Sequence, residues 1–524
     1  MKQTKTTGII LFLVGMAVLI ATLGINNYKL TGDSLDKAVS QKQHIKLLSP
    51  VLDDIKDKEF TSKIKFIHAF NKRFKQLNEQ FKKNQEWDKV IWKDYTFPVV
   101  KHSSTGLLLN NNWWFFIFSF GLVILGAFMY ILPKRWESPA GIKNDHIFFN
   151  PLLSRGFIGI VLGFVLIGFY IFLYWYPEYI VNWTIMLDPL SKMISGNPAS
   201  QWFFYGFIYT LAILIMGIRM LINYRHNRYQ MLRTGSVMFF QLSFAFLIPN
   251  ILVALNQPYQ DLKNAWPLDY DFFFGWHLDQ LVASGTFGIF ILVWGIVLAI
   301  VAVPVLAFFL GKRWYCSWVC GCGGLAETLG DPFRHLSDKS LRAWQVERWM
   351  VHSVLVIIVI VTGVTLVNFF TEGNMFGKLT NNLQKWYGFF IGAIFSGVIG
   401  VGFYPWMGNR VWCRFACPLA AHLGLVQRFK SKFRITTNGG QCMSCGNCST
   451  YCEMGIDVRW YAQRGQNIIR ASCVGCGICA AVCPRGVLRL ENKQVKGRFG
   501  IKRVMPGNDS FKEHTFHECK HSEQ

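Results

Sequence analysis

The sequence predicts a membrane protein of the all-α class, with about eight transmembrane helices, followed by a small C-terminal domain of the α+β class. Two observations predict this architecture. Of the 524 residues, 52% are hydrophobic, and they are gathered into runs of about 18–22 residues, which are long enough to cross a hydrocarbon core of ~30 Å. The 14 cysteines all lie after residue 315, so the last part of the chain is chemically distinct from the rest.

The N-terminal region is predicted to be a membrane anchor followed by a polar segment. The apolar run GIILFLVGMAVLIATLGI follows Lys2 and Lys5. It is long for a secretory signal and no cleavage site of small residues follows it, so residues 1–25 are expected to form an uncleaved anchor. Residues 26–112 are polar, and their hydrophobic side chains recur at three- and four-residue steps from Phe60 to Phe81. This periodicity predicts a periplasmic helical segment that packs on itself or docks a partner.

Seven further apolar runs predict a membrane bundle over residues 113–435. Basic residues such as Lys134, Arg225 and Lys312 follow the second, fourth and sixth spans, whereas the intervening loops are nearly neutral or acidic. By the positive-inside rule, eight spans with both termini in the cytoplasm satisfy this pattern. The seven runs cover approximately residues 113–132, 156–176, 202–222, 237–255, 286–310, 350–370 and 387–406.

This charge pattern also bears on localisation and partners. The net charge of +24 is explained by basic loops that flank membrane spans, so we expect the lipid bilayer as a partner and no nucleic acid. The sequence therefore predicts a multi-pass protein of the bacterial inner membrane.

The chain after the last span contains two cysteine runs with one spacing, C-x2-C-x2-C-x3-C. This spacing wraps a tight loop around a [4Fe-4S] cluster, with three thiolates from the loop and the fourth from elsewhere in the chain. Zinc also binds four thiolates, but its motifs usually carry two C-x2-C pairs without a third close cysteine. Residues 436–505 are therefore predicted to form a bacterial-ferredoxin-like dicluster domain, and residues 506–524 a flexible tail.

The ligands of the two predicted clusters follow from the ferredoxin pattern, in which the fourth cysteine of each run binds the other cluster. Such crossed ligation holds two centres close together and suits electron hopping. No catalytic residue is predicted. We expect cluster 1 to be bound by Cys442, Cys445, Cys448 and Cys483. We expect cluster 2 to be bound by Cys473, Cys476, Cys479 and Cys452.

Five more cysteines lie where membrane spans end, in the stretches RWYCSWVCGCGG and VWCRFACPLAAHLG. On an α-helix, cysteines four residues apart would share one face. Three interpretations stay open for them: small buried side chains that pack helix ends, redox thiols that form a disulfide or contact quinone, and ligands of copper or of an additional cluster. Nearby arginines such as Arg410 would lower the pKa of the thiols and so favour reactivity. The five are Cys316, Cys320, Cys322, Cys413 and Cys417.

These motifs resemble those of the membrane-bound polyferredoxin family, which includes NapH-type quinol dehydrogenases, NosR-type electron donors and CcoG-type oxidase-assembly proteins. The resemblance covers about residues 285–490 and rests on YCSWVC, WCRFACPLAA and the doubled cysteine run. Members carry two membrane-adjacent C-x3-C-P motifs. Cys413, Cys417 and Pro418 fit one, whereas Gly321 stands in place of the second proline. The stretch that carries covalent flavin in NosR-type proteins is missing from the sequence, so covalent FMN is not expected.

The resemblance implies that the chain is an electron-transfer component of an oxidoreductase system. Electrons would pass through two [4Fe-4S] clusters between a quinol or cytoplasmic donor and a respiratory partner enzyme or its maturation system. One alternative is an assembly factor that reduces or delivers a metal such as copper for a respiratory enzyme. Another is a redox sensor that signals through residues 26–112.

Overall fold

The computed structural model describes residues 2–137, 156–429 and 431–491. The described chain is mostly helical, as predicted. The predicted tail at residues 506–524 lies outside the described residues. Contacts divide the chain into two compact units. The first is Met1–Lys134 with Ile171–Ile208, and the second is Arg135–Tyr170 with Tyr209–Gln524.

Seven helices in the described residues are long and apolar enough to cross a membrane, which supports a multi-pass membrane protein. The eighth predicted span, residues 387–406, is not among them. There, an α-helix Lys378–Tyr387 continues directly as a π-helix Gly388–Ile399. Polar residues in the α-helical part shorten the apolar stretch. The predicted count of eight membrane spans therefore stays a prediction. The seven helices are Lys2–Gly24, Asn112–Trp136, Phe157–Trp175, Gln201–Asn223, Arg228–Ala254, Gly285–Leu310 and Leu341–Phe370.

The first unit joins two membrane helices to a small domain with its own core. Strand β1 (Asn27–Lys29) pairs antiparallel with β2 (Glu59–Phe60) on one side and with β3 (Ser104–Thr105) on the other. The amphipathic helix Lys63–Lys83 buries Phe66, Ile67, Phe70 and Leu77 in this core. The remaining helices of the unit are Gly32–Ala38, Lys42–Leu52, Thr96–His102, Leu107–Asn110, Pro177–Ile180, Val181–Met186 and Asp188–Ser195.

The second unit contains the cysteines. Between and after its membrane helices, it forms several short helices, and three of these contain Cys316, Cys322 and Cys413. One α-helix begins directly after Cys320, and a π-helix, a form that is frequent at functional sites, contains Cys413. The shorter helices are Gly275–Ala283, Arg313–Cys316, Gly321–Thr328, Asp331–Leu336, Lys378–Tyr387, Gly388–Ile399, Tyr404–Met407, Trp412–Ala416 and Pro418–Phe429.

The C-terminal part of this unit is closed by a two-stranded antiparallel sheet. Strand β4 (Arg434–Thr437) pairs with β5 (Leu488–Glu491), and Arg434 lies opposite Glu491. Because these strands come from the two ends of the segment, both cysteine runs lie between them. The helices of the segment are Gly439–Gln441, Asn447–Thr450, Val458–Gln463 and Ile478–Ala481.

Candidate metal centre

The two cysteine runs adopt the same local structure. A glycine in the left-handed region precedes a short helix in each run, with φ of 80° at Gly446 and 75° at Gly477. A side chain with a Cβ atom rarely adopts this conformation, so glycine allows the sharp reversal. The third cysteine of each run, Cys448 or Cys479, then lies in the first turn of the helix. The first three cysteines of each run therefore surround a common space.

The first group of four thiols lines a single cavity. Three of them come from the first run and the fourth comes from the second run: Cys442, Cys445, Cys448 and Cys483. Burial, together with the neighbouring thiols of Cys483, Cys445 and Cys442, raises the pKa of the Cys448 thiol to about 12. Cys445 is exposed to solvent. The four thiols therefore face the same space, which opens to solvent at one side.

The second group of four thiols has three cysteines from the second run and one from the first. Burial raises the pKa of the Cys479 thiol well above its ordinary value, and the neighbouring thiols of Cys476, Cys452 and Cys473 raise it further. Cys452 is the one member of this group that comes from the first run. The thiol of Cys448, which belongs to the first group, also raises the pKa of Cys479. The two groups of thiols therefore adjoin.

Buried thiols of this kind fit an iron–sulfur cluster. Without a metal, burial keeps such thiols protonated, because a thiolate charge is costly in an apolar environment. A metal ion reverses this preference, since a coordinating thiol loses its proton. The donor set is four sulfurs in each group, which are the ligands that [4Fe-4S] clusters take.

The membrane bundle holds the loop of the second run through its backbone. Four consecutive carbonyl oxygens, from residues 473 to 476, each accept a hydrogen bond from a side chain of the bundle. The donors come from three separate segments of the chain. Gln427 donates to Cys473 O at 2.8 Å, Ser317 to Val474 O at 2.7 Å, Tyr229 to Gly475 O at 2.9 Å and Gln230 to Cys476 O at 2.7 Å.

The five cysteines at the span ends also come together, and we call them the five-thiol group. They are Cys316, Cys320, Cys322, Cys413 and Cys417. The thiol of Cys322 is hydrogen-bonded to Cys320, which lowers the pKa of Cys320 to about 6. Burial raises the pKa of Cys417 well above its ordinary value, and Cys413, Cys316 and Cys320 add to this effect. Two segments that are far apart in the sequence therefore form one cluster of thiols.

The backbone around the five-thiol group departs from the expected pair of α-helices. Cys316 ends the short helix Arg313–Cys316, and Cys320 precedes the next helix. Cys413 lies in a π-helix that ends before Cys417. The cysteines spaced by four therefore do not share a face of one α-helix. All thirteen cysteines in the described residues are free thiols, and no three His, Cys, Asp or Glu side chains among these residues have the spacing to hold a single metal ion.

A buried network of ion pairs connects the two regions that contain cysteines. Arg410 binds Glu327 at 2.5 Å and Glu453 at 3.1 Å. Arg334 binds Glu453 at 2.6 Å, and Arg233 pairs with Glu327. Although burial by itself raises the pKa of the Glu453 carboxyl, the three guanidinium groups lower it to about 2. Glu453 is therefore a buried anion next to Cys452.

Arg410 extends this network to the five-thiol group. Its guanidinium donates to the backbone oxygen of Cys316 at 3.2 Å and lies 3.7 Å from the sulfur of Cys413. The sequence places an arginine near these thiols, but its acidic partners, Glu327 and Glu453, were not predicted. The only signal for Glu453 is that it follows Cys452, at the position where Pro484 follows Cys483.

Comparison with known proteins agrees with this geometry. Residues 290–340 and 387–436 match a 4Fe-4S binding domain family, and residues 441–488 match a 4Fe-4S dicluster domain family. The first match contains the whole five-thiol group, and the second contains both cysteine runs. The second match confirms the predicted C-terminal 4Fe-4S domain, and the first adds a 4Fe-4S match over cysteines for which three interpretations stayed open. Together they define a protein that joins 4Fe-4S domains to helices of membrane-spanning length.

One curated relative is similar to part of the chain. It is YccM of Escherichia coli (strain K12), which is named as an electron transport protein and is 25% identical over 168 residues. The alignment covers 31% of this chain and 46% of the relative, so the chain spans about half the length of that protein. No solved structure matches the chain. The narrower resemblance to the polyferredoxin family stays a prediction.

Proposed function

We propose that the chain is a membrane-bound electron-transfer protein that uses two [4Fe-4S] clusters. The observation that carries this proposal is the crossed grouping of the eight thiols, with three from one run and one from the other in each group. Cys442, Cys445, Cys448 and Cys483 would bind cluster 1. Cys473, Cys476, Cys479 and Cys452 would bind cluster 2. A bound cluster of this type supplies one-electron transfer.

The burial of the thiols supports an order for the redox centres. Cys445 of the first group is exposed, whereas Cys473 and Cys479 of the second group are buried, and the loop of the second run is bound to the bundle. Cluster 1 is therefore the centre that a soluble partner can approach. Cluster 2 adjoins it on the side of the membrane helices, so electrons would pass through both centres in sequence.

The order of the two redox centres suggests where the electron donor and the protein partner would act. The soluble partner would meet cluster 1, and a quinol or cytoplasmic donor would supply the electrons. The distribution of basic loops supports a bacterial inner-membrane protein with both termini in the cytoplasm. A respiratory enzyme or its maturation system would then be the partner, and the E. coli relative is likewise named as an electron transport protein.

Serine replacement tests the crossed ligation directly. The dicluster domain should account for about eight iron atoms and about eight sulfides per chain of anaerobically purified protein. We expect Cys445→Ser and Cys483→Ser to lose one EPR signal, and Cys476→Ser and Cys452→Ser to lose the other. If Cys452→Ser instead removes the same signal as Cys445→Ser, each run binds its own cluster and the crossed assignment is wrong. Zinc in place of iron and sulfide would overturn the function itself.

The five-thiol group favours a second candidate function, in which the chain reduces or delivers a metal. Its five convergent thiols lie beside the dicluster domain, within a region that matches a 4Fe-4S binding domain family. The Cys413→Ser/Cys417→Ser variant tests its role. Iron that falls from about twelve to about eight per chain would assign a third cluster to the group. Constant iron, together with loss of Cu(I) binding, would assign metal handling.

A further inference from the structure

A cavity of about 230 Å³ lies beside the five-thiol group, in the second unit. Its walls are the first turns of the helix Leu341–Phe370, the helix Pro418–Phe429 and the backbone around residues 469–472. A water molecule occupies about 30 Å³ in the liquid, so the space is large enough for a small ligand or the polar part of a lipid.

The cavity is strongly cationic. Among the described residues that line it, the one acidic side chain is Glu347, which is bound to Arg414 at 2.8 Å. Of the five cationic lining residues, Lys312 and Arg414 are buried, Arg470 is half-buried, and Arg348 and Arg428 are exposed. In the described parts of the chain, Arg414 alone among these five forms an ion pair with a carboxylate. The positive charge therefore extends from the open side of the cavity to its buried end.

Two of these guanidinium groups share one aromatic ring. Arg470 lies 4.4 Å from the ring centre of Trp344, and Arg348 lies 5.1 Å from it. Cation–π contact stabilises each group, but two like charges at one ring repel each other. An anion between them would remove this repulsion, and the planar guanidinium fork binds phosphate oxygens in pairs.

The length of the helix Leu341–Phe370 would place the cavity at the level of the lipid headgroups. The helix Leu341–Phe370 has 30 residues, and at 1.5 Å per residue it is about 45 Å long. A hydrocarbon core is only ~30 Å thick. Trp344 and Trp349 lie near the start of the helix, and tryptophan prefers the interface between membrane and water. Basic pockets between membrane helices bind anionic headgroups.

We propose that this cavity binds a phosphate-bearing anion, and that the headgroup of an anionic phospholipid is its source. Arg348 and Arg470 would bind the phosphate beside Trp344, and the exposed Arg428 would add positive charge at the open side of the cavity. Lys312 and Arg414 would supply positive charge at the buried end. Because Cys413 also lines the cavity, the bound headgroup would lie beside the five-thiol group. This site is separate from the eight thiols of the dicluster domain.

Lipid binding to the intact iron-loaded protein tests the site. The Arg348→Gln/Arg428→Gln variant removes two exposed charges and leaves the buried side chains in place. Its control, Arg342→Gln/Arg489→Gln, removes two exposed charges that do not line the cavity. We expect native mass spectrometry to show preferential retention of phosphatidylglycerol over phosphatidylcholine in the wild type and the control. In the cavity variant, phosphatidylglycerol binding should weaken about tenfold to thirtyfold.

A second measurement identifies the source of the phosphate. Lipid-depleted protein is heated with inorganic phosphate alone and with phosphatidylglycerol alone. Stabilisation by the lipid only supports a headgroup, and equal stabilisation by both supports phosphate chemistry with a soluble source. Equal retention of the two lipids by the wild type would overturn the site, as would equal phosphatidylglycerol binding by the cavity variant and its control. Binding of a quinone in the cavity without any effect of phosphate would also overturn it.

Discussion

Glu453 shows how one residue can connect the dicluster domain to the bundle. Its carboxylate is buried between Arg334 and Arg410, and its backbone oxygen accepts a hydrogen bond from Ser337 at 2.8 Å. A buried charge needs such partners, because desolvation alone would expel it. Since Glu453 directly follows Cys452, these contacts also fix the position of one thiol of the second group.

The Glu453→Gln substitution should therefore be strongly destabilising. It keeps the size of the side chain but leaves two guanidinium groups with less negative charge, which costs roughly 3–5 kcal/mol. We expect a lower midpoint of thermal unfolding and faster loss of the EPR signal of cluster 2. The exposed carboxylate of Glu372 provides the control, and Glu372→Gln should change neither measurement. Equal behaviour of the two variants would contradict this role of Glu453.

Lys63 predicts a dependence on pH in the first unit. Burial lowers the pKa of its ammonium from 10.5 to about 8, and its Nζ donates to the backbone oxygen of Tyr179. Between pH 8 and 10.5, the unfolded chain binds more protons at this site than the folded chain does. Stability should therefore increase as pH rises through this window, and the cost of burying the charge is fully present below it.

Hydrogen exchange of the helix Lys63–Lys83, corrected for intrinsic rates, measures this effect. The wild type should gain about 3 kcal/mol of local stability across the window. Lys63→Met should lose most of this dependence, whereas Lys65→Met should keep it because Lys65 is exposed. A wild-type stability that is constant or falls with rising pH would show that Lys63 is not buried as a cation.

At the scale of elements, the loop of the second run depends on side chains that lie outside the dicluster domain. Tyr229 donates to Gly475 O and accepts a hydrogen bond from Trp318 at 3.3 Å. Tyr229→Phe leaves the carbonyl oxygen of Gly475 without its hydrogen-bond donor, which destabilises the folded loop by about 1–3 kcal/mol. We expect a chelator to remove iron from the second group faster, while iron in the first group is released at the wild-type rate.

Tyr451→Phe is the matched control for this prediction. Within the described residues, the hydroxyl of Tyr451 is buried and has no hydrogen-bond partner, so its removal should not accelerate iron release. Equal rates for Tyr229→Phe and the wild type would show that the carbonyl contacts do not hold the loop.

Sequence spacing predicts some elements of the site better than others. The two runs carry their geometry locally, because Gly446 and Gly477 lie at equivalent positions and each opens a helix that contains the third cysteine. The five-thiol group has no such local signal. Its two segments are joined by packing across about ninety residues, and the π-helix at Trp412–Ala416 changes the direction of its thiols. The acidic partners of Arg410 depend on the same long-range packing, so sequence reasoning missed them.

At the scale of the molecule, each unit has its own source of stability. The first unit buries a hydrophobic core around the helix Lys63–Lys83. Residues 436–491 also bury apolar side chains such as Met454, Ile456 and Ile468, but they contain eight cysteines, so a bound metal would supply a large part of their stability. Hydropathy predicted seven of the membrane helices because each is a long apolar run, whereas it could not predict the three short strands of the first unit.

Anaerobic removal of iron should therefore unfold one region selectively. We expect hydrogen exchange in residues 441–488 to become fast after chelation, while the helix Lys63–Lys83 keeps its protection. Reconstitution with iron and sulfide should restore protection in the same residues, which controls for irreversible damage. Loss of protection in both regions together would show that the chain unfolds as one cooperative body.

The four carbonyl contacts at residues 473–476 have a consequence for the rate of electron hopping. An added electron changes the charge of a cluster, and the backbone carbonyl dipoles of a mobile loop would reorient in response. Here hydrogen bonds from Gln427, Ser317, Tyr229 and Gln230 already hold the four carbonyl dipoles in place. Electron transfer to the cluster therefore needs little reorganisation energy. We expect the second centre to exchange electrons across a low activation barrier in both directions.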